Sequence, residues 1–270
     1  MAPQLQQDFL RPFKVGLIGF GAIAREVLLN SQHAGIEWTV LTRSAAHADR
    51  AQQNIRFVHE ISALIETRPC VVIEAAGQTA LAEYGPALLG AGIPVIVASV
   101  GAFADEDLLM ALTRACQKTD ASLIIPSGAI GGLDYLSAIS SLEDIRIRYT
   151  SRKPPAAWKA ELEKRNLVCA TKPVTLFEGS PAEAARLYPK NLNAALTLAL
   201  TARPATLTVR VVVDPQAKGN THEIEAESAA GTAFMRFENV PSPVNPKTST
   251  ITALSLASAL RKFLHPKGMN

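Results

Sequence analysis

Lys14-Val15-Gly16-Leu17-Ile18 is a short apolar strand that runs straight into Gly19-Phe20-Gly21-Ala22-Ile23-Ala24. A helical pattern follows as far as Asn30, with Ile23, Val27 and Leu28 as its apolar residues. Strand, tight turn and helix in immediate succession form a fingerprint for binding a dinucleotide. Gly19 permits the turn, and Gly21 lets the backbone approach a pyrophosphate. Ala24, in the third small position, lets the helix pack closely on the strand. The N–H groups of the first turn, around Ala22 and Ile23, favour an anion there, as does the helix dipole. An ordinary glycine-rich turn carries similar letters, so the surrounding pattern decides.

That pattern alternates. Trp38 to Leu41 reads as a strand, and so does Cys70 to Ile73. A helix runs from about Thr79 to Leu89, a strand from Pro94 to Ala98, and a helix with an acidic first turn from Asp105 to Lys118. Leu123 to Ile125 closes the series. Continuous apolar strands between amphipathic helices predict an α/β fold, a Rossmann doubly wound parallel sheet covered on both faces. An NAD-selective site usually carries Asp or Glu where the second strand ends, to hold the ribose 2′-hydroxyl. Here the residues are Leu41-Thr42-Arg43-Ser44. Arg43 can pair a 2′-phosphate, Thr42 and Ser44 can donate to it, and no carboxylate of this segment repels it. NADP is therefore expected to be accepted alongside NAD. The competing reading has Arg43 stacking on adenine without selecting either.

The pattern changes after Pro126. Ile145 to Tyr149 alternates apolar and charged residues. Thr208 to Asp214, His222 to Ser228 and Thr232 to Glu238 then follow as strands with short polar connections, which predicts an antiparallel meander. Helices are expected from Leu192 to Thr201 and from Thr248 to Phe263, the latter stopped by Pro266. Ile251, Leu254 and Phe263 of that last helix need cover, so it is expected to pack back onto the first domain. The predicted organisation is a dinucleotide-binding domain over 1–126, joined by a C-terminal helix at about 246–270. Residues 127–245 form a smaller α/β (α+β) catalytic and dimerisation domain with an antiparallel or mixed sheet.

Composition narrows the partners. The 270 residues carry a net charge of +3 with acids and bases mixed, so no basic run offers a nucleic-acid or membrane surface. Residues 1–13 lack an apolar signal core, and no apolar run reaches the roughly 20 residues of a membrane helix. Cys70, Cys116 and Cys169 are too few and too scattered for a disulfide framework or a zinc site. A cytoplasmic enzyme without a metal is the expectation. Cys70, opening an apolar strand, reads as a small buried residue rather than a reactive thiol.

Three later segments can carry chemistry. Pro126-Ser127-Gly128-Ala129-Ile130-Gly131-Gly132-Leu133-Asp134 follows the last parallel strand, and its small residues allow a ligand close to the backbone or a domain hinge. Tyr188-Pro189-Lys190-Asn191-Leu192-Asn193 opens a helix, where Lys190 and the asparagines grip a carboxylate or an amide, or Asn191 is a simple N-cap. Gly219-Asn220-Thr221-His222-Glu223 begins a strand on which His222 shares a face with Ile224 and Ala226, opposite Glu223, Glu225 and Glu227. His222 is either a proton-transfer group or a half-buried ring bonded to a neighbour. His33, His47, His59 and His265 read as solvent-facing.

Together with Ser99-Val100-Gly101-Ala102 and Asn245-Pro246-Lys247-Thr248-Ser249, these segments resemble the L-aspartate dehydrogenase family across most of the chain. The resemblance implies NAD(P)-dependent, reversible oxidative deamination of L-aspartate to iminoaspartate. That product hydrolyses to oxaloacetate and ammonia or feeds NAD biosynthesis. It implies a homodimer and makes His222 the catalytic histidine. Cofactor contacts would come from Ala75, Ala76, Ser99, Val100, Gly101 and Ala129, with Asn191 or Asn193. Lys190, Lys247, Thr248 and Ser249 are candidates for the substrate carboxylates. Ala24 and Arg43 depart from the family pattern, and the latter leaves the cofactor preference open. Other readings are a different small-substrate NAD(P) oxidoreductase, of homoserine-dehydrogenase-like or sugar-dehydrogenase type, or a non-catalytic NADP-sensing protein.

Overall fold

The structure, a computed structural model, describes residues 12–32, 35–43, 54–167, 171–188, 193–245 and 248–265. β1 (Phe13–Ile18) pairs in parallel with β2 (Ile36–Leu41) on one side and β4 (Val71–Glu74) on the other. With β3 (Ile55–Val58), β5 (Val95–Val97) and β6 (Leu123–Ile124) they make a six-stranded parallel sheet in the order β3-β2-β1-β4-β5-β6. The order reverses between β1 and β4, where the carboxyl ends of the strands leave a crevice for a ligand. α1 (Ala22–Leu29), α2 (Ile61–Glu66), α3 (Gln78–Gly90) and α4 (Glu106–Thr119) connect the strands. α4 is well started: Asp105 accepts from the Leu108 amide at 3.1 Å, and Glu106 and Asp107 complement the positive end of the helix.

A sheet with covered faces needs apolar residues at every strand position, and Val15, Leu17, Val40, Val71, Ile73 and Ile96 are all buried. Burying each such side chain contributes roughly 1.5–3 kcal/mol. Packing is tight enough to dictate Gly16: a Cβ there would lie 2.7 Å from Val72 Cγ2 and 3.1 Å from Leu64 Cδ1. β3 and α2 were not foreseen, because Ile55–Val58 has only four residues with a charge at Arg56. Cys70 corrects an expectation. It stands just before β4 and is exposed, with its thiol on the Lys14 carbonyl at 3.1 Å. Its place ahead of the first residue of β4, at the end of the sheet, left it outside the core.

The described residues divide into two compact units. One runs to Pro126 and resumes at Ala253; the other is Ser127–Thr252. α9 (Thr250–Leu264) gives Ala253, Leu256, Leu260 and Leu264 to the core of the first unit, and Phe263 packs at its edge. Ile251 and Leu254, expected to be covered, are 41% and 39% exposed. The inward stripe runs through Ala253, Leu256, Leu260 and Leu264, rotated away from Ile251 and Leu254.

In the second unit the sheet order is β11-β10-β7-β9-β8. β7 (Arg146–Lys153) is central, antiparallel to β10 (Asn220–Ser228) and parallel to β9 (Leu207–Val213). β11 (Gly231–Asn239) pairs with β10, and β8 (Val174–Gly179) with β9, both antiparallel. The expected meander is therefore corrected. β10 and β11 form a hairpin, but β7 inserts between β9 and β10, so the sheet is mixed. Local turn chemistry cannot reveal a strand inserted from 60 residues upstream. α5 (Leu133–Ile139), α6 (Lys159–Lys164), α7 (Pro181–Leu187) and α8 (Asn193–Thr201) complete this unit. No described helix is long and apolar enough to cross a membrane. No cluster of three or more His, Cys, Asp or Glu among the described residues suits a metal ion.

Candidate active site

At the carboxyl ends of β1, β2 and β4 the first unit holds a pocket of about 500 Å³. Its walls include Gly19 to Gly21, Leu41 to Arg43, and Ala75 to Gly77. The turn after β1 is built for a close neighbour. Gly19 sits at φ +93°, and a Cβ on it would meet Ala76 Cβ at 2.9 Å and the Ala75 carbonyl at 3.0 Å. A Cβ on Gly21, by contrast, would meet no protein atom within 4 Å. Gly21 also has no side chain with which to cap α1. Open space in front of first-turn N–H groups at the positive end of a helix fits a pyrophosphate.

The far end of the pocket contains Arg43, which is exposed, with Thr42, His59, Glu83 and Tyr84. His59 is exposed, as expected, and also lines the pocket. Its Nδ1–H donates to the Thr42 carbonyl at 2.8 Å, which tethers β3 to the end of β2. Glu83 was missed. Leu41 to Ser44 carries no carboxylate, but α3 brings one to the same wall. Burial raises the Tyr84 hydroxyl, and so do Glu83 and, more distantly, Glu60; Arg43 pulls the other way. The nucleotide end is therefore of mixed charge.

In the second unit a few buried polar side chains share the apolar face of the sheet. His222, opposite Ser151 in the β10–β7 register, is 6% exposed. Its Nδ1 lies 2.7 Å from the Tyr149 hydroxyl, and the two rings stack at 5.9 Å. Alternation along β7 places Ile147, Tyr149, Ser151 and Lys153 on this same face, and all four are buried. Burial pushes the Lys153 amine down to about 8, and its Nζ sits 5.7 Å from the Trp158 ring centre. Burial first, and then the Lys153 charge, push His222 down to about 4, so its ring is neutral at pH 7. Burial also raises the Tyr149 phenol, which stays protonated. The opposite face pins the strand. Glu223 receives Arg152 Nη2 at 2.8 Å and Arg236 Nη1 at 2.6 Å, while Arg148 reaches Glu225 at 3.0 Å. Such a bidentate, partly buried lock fixes the position of the neighbouring His222.

Other singled-out residues fall elsewhere. Ser99 is buried, and Val100 and Gly101 open a buried 3₁₀ turn (Val100–Ala104); none of the three lines the 500 Å³ pocket. Ala22 and Ile23 form the first turn of α1. The Ala129 carbonyl accepts from Asn239 Nδ2 at 2.7 Å, and a Cβ on Gly131 would touch the Phe237 ring at 3.0 Å. Much of that glycine run is thus packed on β11 instead of standing open to a ligand. Asn193 begins α8, exposed, with its carbonyl accepting from Thr197. Thr248 donates to the Asn245 carbonyl at 3.0 Å and Ser249 is buried against Pro241, so both serve the turn before α9. Lys190, Asn191, Lys247, Ser44 and Cys169 lie outside the described residues. Tyr149, Ser151 and Lys153 were missed. Carrying the period-2 pattern from Tyr149 four residues further would have shown a lysine at an inward position.

Two family models match the chain: "Homoserine dehydrogenase, NAD binding domain" over residues 16–126 and "Aspartate dehydrogenase, C-terminal" over residues 134–263. L-aspartate dehydrogenase 2 of Bordetella pertussis is 42% identical over 258 residues, 93% of this chain and 97% of that protein. L-aspartate dehydrogenase of Ruegeria pomeroyi is 37% identical over 254 residues, 92% of each. The crystal structure of aspartate dehydrogenase from Thermotoga maritima superposes with a TM-score of 0.75 at 26% identity, covering 96% of this chain and 98% of that one. The first unit is a dinucleotide-binding domain for NAD or NADP, and the chain belongs to the L-aspartate dehydrogenase family.

Proposed function

We propose that this protein is an NAD(P)-dependent L-aspartate dehydrogenase, with His222 as its proton-transfer group. The observation that carries the reading is the buried set of His222, Tyr149 and Lys153, a neutral base beside a cation on one sheet face. In balance, L-aspartate, NAD(P)⁺ and water become oxaloacetate, ammonium, NAD(P)H and a proton, through iminoaspartate. When bound, NAD(P)⁺ accepts the hydride from the substrate α-carbon. Lys153 pairs with one substrate carboxylate, and Lys190 or Lys247 takes the other. With Nδ1–H donated to the Tyr149 oxygen, His222 keeps its Nε2 lone pair for a proton from the substrate nitrogen, and later from the attacking water. Lys153 also couples binding to basicity. Its charge holds the His222 pKa down, and an arriving carboxylate cancels that charge, so the base strengthens when substrate is present.

We assign the pyrophosphate to the Gly19–Ala24 turn, and the 2′-phosphate of NADP, or the adenine, to Arg43. A cytoplasmic homodimer completes the reading; it rests on the family, the scarce cysteines and the near-neutral charge. Light scattering should give about twice the 28.8 kDa of one chain. The deciding assay follows NADPH and NADH oxidation with oxaloacetate and ammonia, wild type beside His222→Ala. Ammonia-dependent oxidation, lost in the variant, supports substrate and base together. Dinucleotide binding without ammonia-dependent oxidation would direct the search to another small substrate or to a sensor.

A further inference from the structure

Glu74 ends β4 and is completely buried, yet it does not line the 500 Å³ pocket and takes no part in the chemistry above. Its carboxylate is heavily used. Oε1 accepts from the Ala76 amide at 2.8 Å, the Gly77 amide at 2.8 Å and the Ser99 hydroxyl at 3.0 Å. Oε2 accepts from the Ser99 amide at 3.0 Å. Two loops of the crevice, one after β4 and one after β5, are thereby tied to a single side chain. The loop after β4 forms part of the pocket wall through Ala75, Ala76 and Gly77. It is also the surface on which Gly19 rests, within 3.1 Å of where a Cβ would stand.

We propose that Glu74 is a positioning residue for the dinucleotide, a buried anion that fixes the β4–α3 and β5 loops so that the glycine turn meets a rigid wall. The inference rests on the dinucleotide reading of this pocket. Only a carboxylate serves here, because all four partners are donors and two oxygens must accept from all of them. Glutamine would replace one acceptor oxygen with an amino group, setting donor against donor. The role also explains why Ser99 is buried and turned inward. Both of its donors are committed to Glu74, so it shapes the site without facing the pocket.

The test is direct binding. NADPH and NADH are titrated by fluorescence onto the full chain as wild type, Glu74→Gln and Ser99→Ala, with melting temperature and circular dichroism measured on each. Glu74→Gln should weaken both dinucleotides about tenfold or more, the scale of a lost charge-assisted hydrogen bond. Ser99→Ala removes one donor and leaves the carboxylate its backbone partners; it should weaken both by about threefold to fivefold while keeping a native spectrum. A residue that merely stabilised the fold would lower the melting temperature and leave the dissociation constants of the folded protein alone. Constants within twofold of wild type in folded Glu74→Gln overturn the proposal. Should that variant not fold, the same result for Ser99→Ala overturns it. A wild type that binds neither dinucleotide defeats the pocket reading itself, and the clamp with it. Normal wild-type binding with unaffected variants defeats the clamp alone.

Discussion

Lys153→Met should make the protein more stable and take away its response to dicarboxylates. The amine is buried, and burial alone lowers it from 10.5 to about 8. Each pH unit of such a difference corresponds to about 1.4 kcal/mol, so keeping the ammonium buried at pH 7 costs about 3 kcal/mol. The sign follows from proton counting. Between pH 8 and 10.5 the unfolded chain holds the proton and the folded chain does not, so stability rises with pH across that window. Below it the cost is full; above it the cost has gone. Methionine has similar reach, can keep the contact with Trp158 and carries no charge to desolvate. The variant should therefore gain up to about 3 kcal/mol at pH 7, or about 6–10 °C in melting temperature for a chain of this size. Its advantage should shrink towards zero near pH 10.5. Urea midpoints at pH 7 and pH 10 measure the first effect. Melting with and without L-aspartate or succinate measures the second, because a carboxylate that pairs the ammonium should stabilise only the wild type. A variant less stable than wild type by the same margin at both pH values would refute the argument, since the amine would then act through packing and not as a costly buried cation.

Further tests bear on the neighbouring groups. His222 is lowered from 6.5 to about 4, so its share of stability is whole above pH 6.5 and drains away as pH falls through 4. The total is about 3 kcal/mol, and His222→Asn should show a correspondingly flatter dependence of urea midpoint on pH from 7 to 4. Arg43→Ala should raise the KM for NADPH about tenfold and leave NADH within about twofold, whereas Glu83→Gln should lower the KM for NADPH. Equal changes for both cofactors would return Arg43 to plain adenine stacking. Gly16→Ala forces a methyl to 2.7 Å from Val72 and should destabilise by about 1–3 kcal/mol, visible as a lower melting temperature with an unchanged KM for the cofactor.

The parallel sheet was legible because its inner strands are apolar over most of their length. Leu17, Val40 and Ile73 announce two-sided burial in any reading, and Gly19 and Gly21 mark where the first turn must bend and stay open. What escaped was short or non-local. β3 has four residues, and β7 joins β9 to β10 across a separation that no local pattern reports. His222 was legible too. It stood out as a histidine sharing a strand face with Ile224 and Ala226, and the structure buries it against a tyrosine.

Its companions were hidden by their own chemistry. Arg146 to Lys153 reads as a charged strand, and charge is normally evidence of solvent. Yet Arg148 and Arg152 face one way, onto Glu225 and Glu223, and Lys153 faces the other, into the apolar side of the sheet. The first two arginines are ordinary cross-strand partners, stabilised by what they touch. Lys153 is expensive where it stands, since burial is what lowers its pKa. A substrate carboxylate reaching that amine would offset the cost of its burial. Glu74 poses the same question in the first unit, answered there by four donors from the chain itself. Glu74 is held by four donors of the chain and so positions two loops; Lys153, buried on the apolar side of the second sheet, is the cation that a substrate carboxylate would meet.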